Sequence, residues 1–227
     1  MQYEFDFSFL ASTWPRFLHG AWLTVQLASC SIVLGFIVGA ACAMARTSGS
    51  PRLQKVVSAY VEAVRNTPLL VQIFLVYFGI ASLGFKISAE FSAVLALTIN
   101  IGAYSTEILR AGIQSIARSQ LEAGECLGLS KLQVYWHVVL LPAVERVYPA
   151  LSSQFVLLML ASSITSQISA EELTAAANLL QSETFRSFEV YIIVAVIYLA
   201  LSFLFRGAFW AIGQLVFVRR RRLGTPL

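Results

Sequence analysis

The chain has 227 residues, 58% of them hydrophobic and only 12% charged, with a net charge of +4 and a mean hydropathy of +0.74. That composition excludes a soluble globular protein and indicates an integral membrane protein. The positive balance is no nucleic-acid footprint: four of the cations are the Arg219 to Arg222 run directly after an apolar stretch, where stop-transfer and contact with anionic headgroups account for them.

A bilayer core of about 30 Å requires about 20 apolar residues per helix. Five spans are predicted, at about 17–45, 56–85, 91–112, 138–170 and 188–218. The first carries Gly35 and Gly39 at the small-xxx-small spacing that lets helices approach closely. Its length and the acidic residues before it, Glu4 and Asp6, argue against a cleavable signal peptide. The second opens on Arg65-Asn66-Thr67-Pro68-Leu69-Leu70, where Pro68 removes a backbone donor. Two outcomes stay open there: a kinked span that shapes a cavity, or an amphipathic surface segment from Leu53 to Arg65 that turns into the span at Pro68.

The third span ends with Glu107 and Arg110, three apart on one face, so each can neutralise the other. The loop over 115–137 mixes acids and bases with Leu121, Leu127, Leu129 and Leu132. It predicts a short helix lying across the membrane axis, stopped at Gly128, with Ser130 capping the next helix. The fourth span contains Pro149, with Pro142 at its entrance, and is rich in small polar residues: Ser152, Ser153, Gln154, Ser162, Ser163, Thr165, Ser166 and Gln167. These can face a wet cavity or satisfy backbone and neighbouring helices. An acidic loop over Glu171 to Glu189 precedes the fifth span.

Basic residues gather in the first loop (Arg46, Arg52, Lys55), the third (Arg118, Lys131) and the C-terminus, which predicts an N-out, C-in arrangement. No internal repeat or linker is evident, so residues 1–227 form one expected domain. Cys30 and Cys42 are separated by about 18 Å along one helix and Cys126 lies in the third loop, so all three are expected as free thiols.

Glu122-Ala123-Gly124, Gly128 and Val138-Val139-Leu140-Leu141-Pro142 together resemble the cytoplasmic EAA loop of binding-protein-dependent ABC importer permeases. Arg65 to Gln72 and Ala103 to Ile113 resemble two further signatures of the amino-acid branch, so the resemblance covers most of the chain. Two departures stand out. The third EAA residue is Gly124, weakening the helix by up to about 1 kcal/mol relative to alanine. The proline after the loop is Pro142, one position later than in the family, although Pro149 matches a second family proline.

The resemblance implies an all-α permease in the bacterial inner membrane whose coupling helix docks in a cytoplasmic ATPase dimer. Glu122 would make an electrostatic contact, Leu127 and Leu129 would be apolar anchors, and Ala123, Gly124 and Gly128 would shape the loop. It implies a second permease subunit and a periplasmic amino-acid-binding protein, which Glu171, Glu172 and the loop to Glu189 could contact. No cofactor is expected on this chain, which contains no GxxxxGK[ST] loop; ATP and Mg would sit on the partner. Candidate pathway residues are Gln154, Ser162, Ser163 and Ser166, while Pro68, Glu107, Arg110, Pro142 and Pro149 are candidate structural residues. Many similar permeases carry charges in this part of the fourth span. Their absence here points to a neutral or broad amino-acid cargo and leans toward a heterodimer.

Two other classes fit these residues less well. An ion-coupled secondary carrier would need midplane acids and inverted repeats, which are not evident. An intramembrane enzyme is disfavoured because the only histidines, His19 and His137, lie near membrane edges without triad or metal-ligand partners.

Overall fold

The computed structural model describes residues 4–217, and all regular structure among them is helical. The Arg219 to Arg222 run and the end of the fifth predicted span lie outside the described residues. In chain order the elements are α1 (Leu10–Ser48), α2 (Pro51–Arg65), α3 (Leu69–Ser82), α4 (Ala89–Gln114), α5 (Arg118–Cys126) and the short α6 (Lys131–Gln133). A π-helical segment, Val134–Leu140, then leads into α7 (Leu141–Ala161). A 3₁₀ segment, Ser162–Ile168, follows, and α8 (Leu173–Thr184) and α9 (Ser187–Val216) complete the chain.

Four segments are long and apolar enough to cross a membrane: Leu10–Thr47, Ala89–Gln114, Val134–Ile168 and Ser187–Val216. Helices α2 and α3 pass that test only as a pair, and they are bent by 109°. The described residues thus form an all-helical bundle with four candidate spans, or five if the bent pair makes one.

The predicted span over 56–85 is built from two helices, α2 and α3, that meet at a sharp bend by Pro68. Ser50 caps α2 by accepting from the Leu53 N–H (3.4 Å), and Pro51 opens it where no donor is wasted. Val57 and Val61 are buried against Ala103 of α4, while Arg52, Lys55 and Glu62 are exposed, so α2 is amphipathic. The Tyr60 hydroxyl donates to the Ile99 carbonyl of α4 (2.6 Å). At the break, Pro68 cannot donate, and a side chain takes over: Gln72 Nε2 donates to the carbonyls of Val64 (2.7 Å) and Thr67 (3.0 Å). Asn100 of α4 in turn donates to Gln72 Oε1 (2.9 Å). The signature from Arg65 to Gln72 is therefore an elbow held at both ends, and its bend fits a broken span as well as a surface segment that turns inward.

Helix α4 is the most enclosed of the membrane-length helices, and α1 packs on it along most of its length. Gly35 and Gly39 make that approach possible. A Cβ on Gly35 would run into the Ile101 side chain, and one on Gly39 into Ser105, with the carbonyls of Thr98 and Gly102 each 3.1 Å away. Phe17, Leu97, Ile101, Leu151, Leu158, Met159, Leu173 and Leu180 lie in the main buried cluster, which joins α1, α4, α7, α8 and α9.

Candidate functional site

Helix α5 and the turn after it form a protrusion built from local rules. The Leu129 N–H donates to the Gly124 carbonyl (3.2 Å) and the Gly128 N–H to the Glu125 carbonyl (2.9 Å), the paired bonds of a Schellman stop. Gly128 takes the left-handed conformation (φ 75°), which glycine adopts at little cost. Ser130 and Gln133 then cap each other reciprocally: the Ser130 N–H donates to Gln133 Oε1 (2.9 Å), and the Gln133 N–H to Ser130 Oγ (3.4 Å).

The protrusion is seated on the π-helical segment through Gly124, which is buried. A Cβ there would lie 3.1 Å from Val134 Cγ2 and 3.6 Å from Val138 Cγ2, so the departure from alanine lets the two elements pack more closely. Glu122 and Ala123 are exposed, and Leu127 is 80% exposed. Leu129, expected as an outward anchor, instead packs with Leu121 against Ile116, Val134, Val139 and Ala143. It faces inward because the turn at Gly128 reverses the chain onto its own helix. Leu132, one of the loop leucines, is exposed beside Leu127 in sequence, as is Trp136, which the sequence reading did not single out. Pro142 stands in the first turn of α7, at the junction from π to α geometry. Pro149 lies inside α7.

The pathway candidates separate by environment. Ser162 is fully buried and donates to the Met159 carbonyl (2.7 Å), Thr165 to the Ser162 carbonyl (2.7 Å) and Ser166 to the Ser163 carbonyl (2.8 Å). These hydroxyls satisfy their own backbone where α7 passes into an unusually long 3₁₀ stretch. Gln154, Ser163 and Ser166 are partly exposed. Arg206 of α9, also not singled out, lines a cleft of about 260 Å³ with Tyr148, Ser152, Ser153 and Trp210. Its signal was a lone cation in an apolar run.

At the end of the bundle that carries α5, Glu107 receives more than Arg110. Arg110 pairs with it (2.8 Å), Arg46 at the end of α1 hydrogen-bonds it, and Arg65 at the end of α2 stands 4.0 Å away. The Arg65 guanidinium lies over the Tyr104 ring, 5.5 Å from its centroid. Only the i,i+3 part of this cluster was legible in sequence.

At the opposite end, the expected acidic loop over Glu171 to Glu189 is largely the helix α8, and two of its acids are fully buried. Glu172 caps α8 by accepting from the Ala175 N–H (3.0 Å), and the Tyr198 hydroxyl donates to its other oxygen (2.7 Å). Burial pushes the Glu172 carboxyl above its ordinary range, against the opposing pull of those hydrogen bonds. Glu189 accepts from the Asp6 N–H (3.2 Å) and from Arg186 (3.5 Å), fastening the N-terminal segment to α9. Glu171 and Glu183 remain exposed, Glu183 paired with Arg16 (2.6 Å).

Residues 31–217 match the family described as "Binding-protein-dependent transport system inner membrane component". The chain is 33% identical over 208 residues to the nopaline transport system permease protein of Agrobacterium fabrum, covering 87% of this chain and 86% of that one. It is 35% identical over 195 residues to a probable glutamine ABC transporter permease protein of Bacillus subtilis, covering 86% and 90%. Among solved structures, an amino acid ABC transporter described "with histidines" superposes with a TM-score of 0.85 at 34% identity, covering 93% of this chain and 99% of that one.

Proposed function

The chain belongs to the family of binding-protein-dependent transport system inner membrane components, and on that basis we propose that it forms half of the translocation pathway of an ATP-driven amino-acid importer, coupled to its ATPase through α5. It is an amino-acid ABC permease and a multi-pass membrane protein. It is not itself an enzyme, since ATP hydrolysis belongs to a separate subunit in this family. The ion-coupled carrier weighed from the sequence draws no support from these relatives.

The observation that carries the coupling assignment is the protrusion itself: a helix seated by buried Gly124, closed by Gly128, and presenting Glu122 and Leu127 outward. Rigid seating transmits movement of a docked partner into Val134–Leu140 and so into α7. In this reading the chain is a single transmembrane domain in the bacterial inner membrane with five spans, N-out and C-in. The elbow and α3 make the second span. A second, related permease completes the pathway and supplies the charges that Gln154 and its neighbours lack. A periplasmic binding protein delivers the cargo, and ATP and Mg stay on the ATPase dimer.

The test is ATP-dependent uptake of labelled amino acids into vesicles carrying the complex, with and without Glu122→Arg. The variant is expected to lose most uptake and to retain less ATPase on co-purification. Unchanged uptake and association would remove Glu122 from the docking surface.

A further inference from the structure

A cavity of about 310 Å³ opens between the ends of α1, α2 and α4, at the end of the bundle that carries α5, and its lining is mostly polar. Glu107 on its wall is already satisfied by Arg46 and Arg110, both hydrogen-bonded to it. Arg65 is therefore surplus to that carboxylate. At 4.0 Å and 44% exposure its attraction to Glu107 is weak, and the Tyr104 ring beneath it orients the guanidinium while consuming few of its donors. Glu62, one turn earlier on α2, lines the same cavity, is exposed, and makes no ion pair among the described residues. A guanidinium fork with only a weak ion pair and a carboxylate with none among the described residues thus stand on successive turns of one helix, about 5 to 6 Å apart at their Cβ atoms.

We propose that this cavity binds the zwitterionic head of an amino acid, Arg65 taking the α-carboxylate and Glu62 the α-ammonium, at the point where cargo leaves the pathway. The pairing is charge-assisted at both ends, and a guanidinium matches a carboxylate in two parallel hydrogen bonds. Nothing in it reads the amino-acid side chain, so the site accepts cargo by its shared backbone groups. The inference rests on the importer assignment above, under which this end of the bundle is cytoplasmic.

The experiment uses the whole complex, with ATPase and binding protein, in vesicles loaded with ATP and graded concentrations of an unlabelled mixture of the twenty coded L-amino acids. Initial uptake of the same mixture, radiolabelled, is followed. Lumenal amino acids are expected to slow wild-type uptake saturably, and Arg65→Gln and Glu62→Gln each to raise the half-inhibiting concentration about 10-fold or more. A general loss of structure lowers uptake at every lumenal concentration and leaves that midpoint in place. An unshifted midpoint in Glu62→Gln overturns the proposal, as does wild-type uptake indifferent to lumenal amino acids. A shift in Arg65→Gln alone also overturns it, marking a site for a lone oxyanion such as a lipid phosphate. If Arg65→Gln fails to assemble, Glu62→Gln, whose side chain makes no ion pair, decides the question. Wild-type complex that takes up no amino acid overturns the importer assignment together with this site.

Discussion

Gly128 holds a left-handed turn (φ 75°) whose two hydrogen bonds close α5, and its site is open, so the demand there is conformational rather than steric. A β-branched residue in that conformation is strained by roughly 1–2 kcal/mol, whereas asparagine tolerates it. Gly128→Val is therefore expected to lower uptake several-fold with little change in melting temperature, and Gly128→Asn to retain most of it, as measured in reconstituted vesicles. Glu172 presents a different residue-scale demand. Its folded pKa lies above its unfolded value because burial disfavours the charged form, so the folded state holds the proton more tightly. Its contribution is fully present below the unfolded pKa and is lost as pH rises through the folded one. Melting temperature of the wild type in detergent should fall as pH rises upward from the ordinary carboxylate range. Glu172→Gln, which keeps a neutral amide beside Tyr198 and Ala175, should flatten that slope.

At the scale of elements, the elbow between α2 and α3 is the feature that hydropathy alone does not reveal. Proline explains why a helix stops near Pro68 but says nothing of what replaces the lost bonds. The answer is Gln72, whose amide group serves Val64 and Thr67 on one side while its oxygen accepts from Asn100 on the other. Gln72→Glu is nearly isosteric but deletes both donors and sets a carboxylate against two carbonyls. It is expected to destabilise by about 2–3 kcal/mol and to open the 65–68 segment to proteolysis, measured by thermal melting and limited trypsin cleavage at Arg65. The close packing of α1 on α4 was legible in Gly35 and Gly39 because helix-contact glycines recur at i,i+4. The inward turn of Leu129 was not, because it depends on the direction in which the chain leaves Gly128.

For the whole molecule, the proposed N-out, C-in topology has a native reporter. Cys126 is exposed at the end of α5, on the surface assigned to the cytoplasm, and its thiol is free. A membrane-impermeant maleimide should label Cys126 in inside-out vesicles and leave it untouched in right-side-out cells or spheroplasts, with Cys126→Ser as the control. Labelling from the outer face would invert the bundle and move α5 away from any cytoplasmic ATPase.

Composition and apolar run length determined that this chain lies in a membrane as a helical bundle, because the bilayer sets helix length and forbids unpaired backbone groups regardless of tertiary detail. Short-range chemistry likewise determined the stop at Gly128, the cap at Ser130 and the Glu107–Arg110 pair, all of which act within one or two turns. Only the tertiary structure decided that Gly124 is a packing residue, that Glu172 and Glu189 are buried, and that Arg46, Arg65 and Glu62 gather around one cavity. Those facts depend on residues distant in sequence meeting in space, and no periodicity within a single segment encodes which partner a side chain will find.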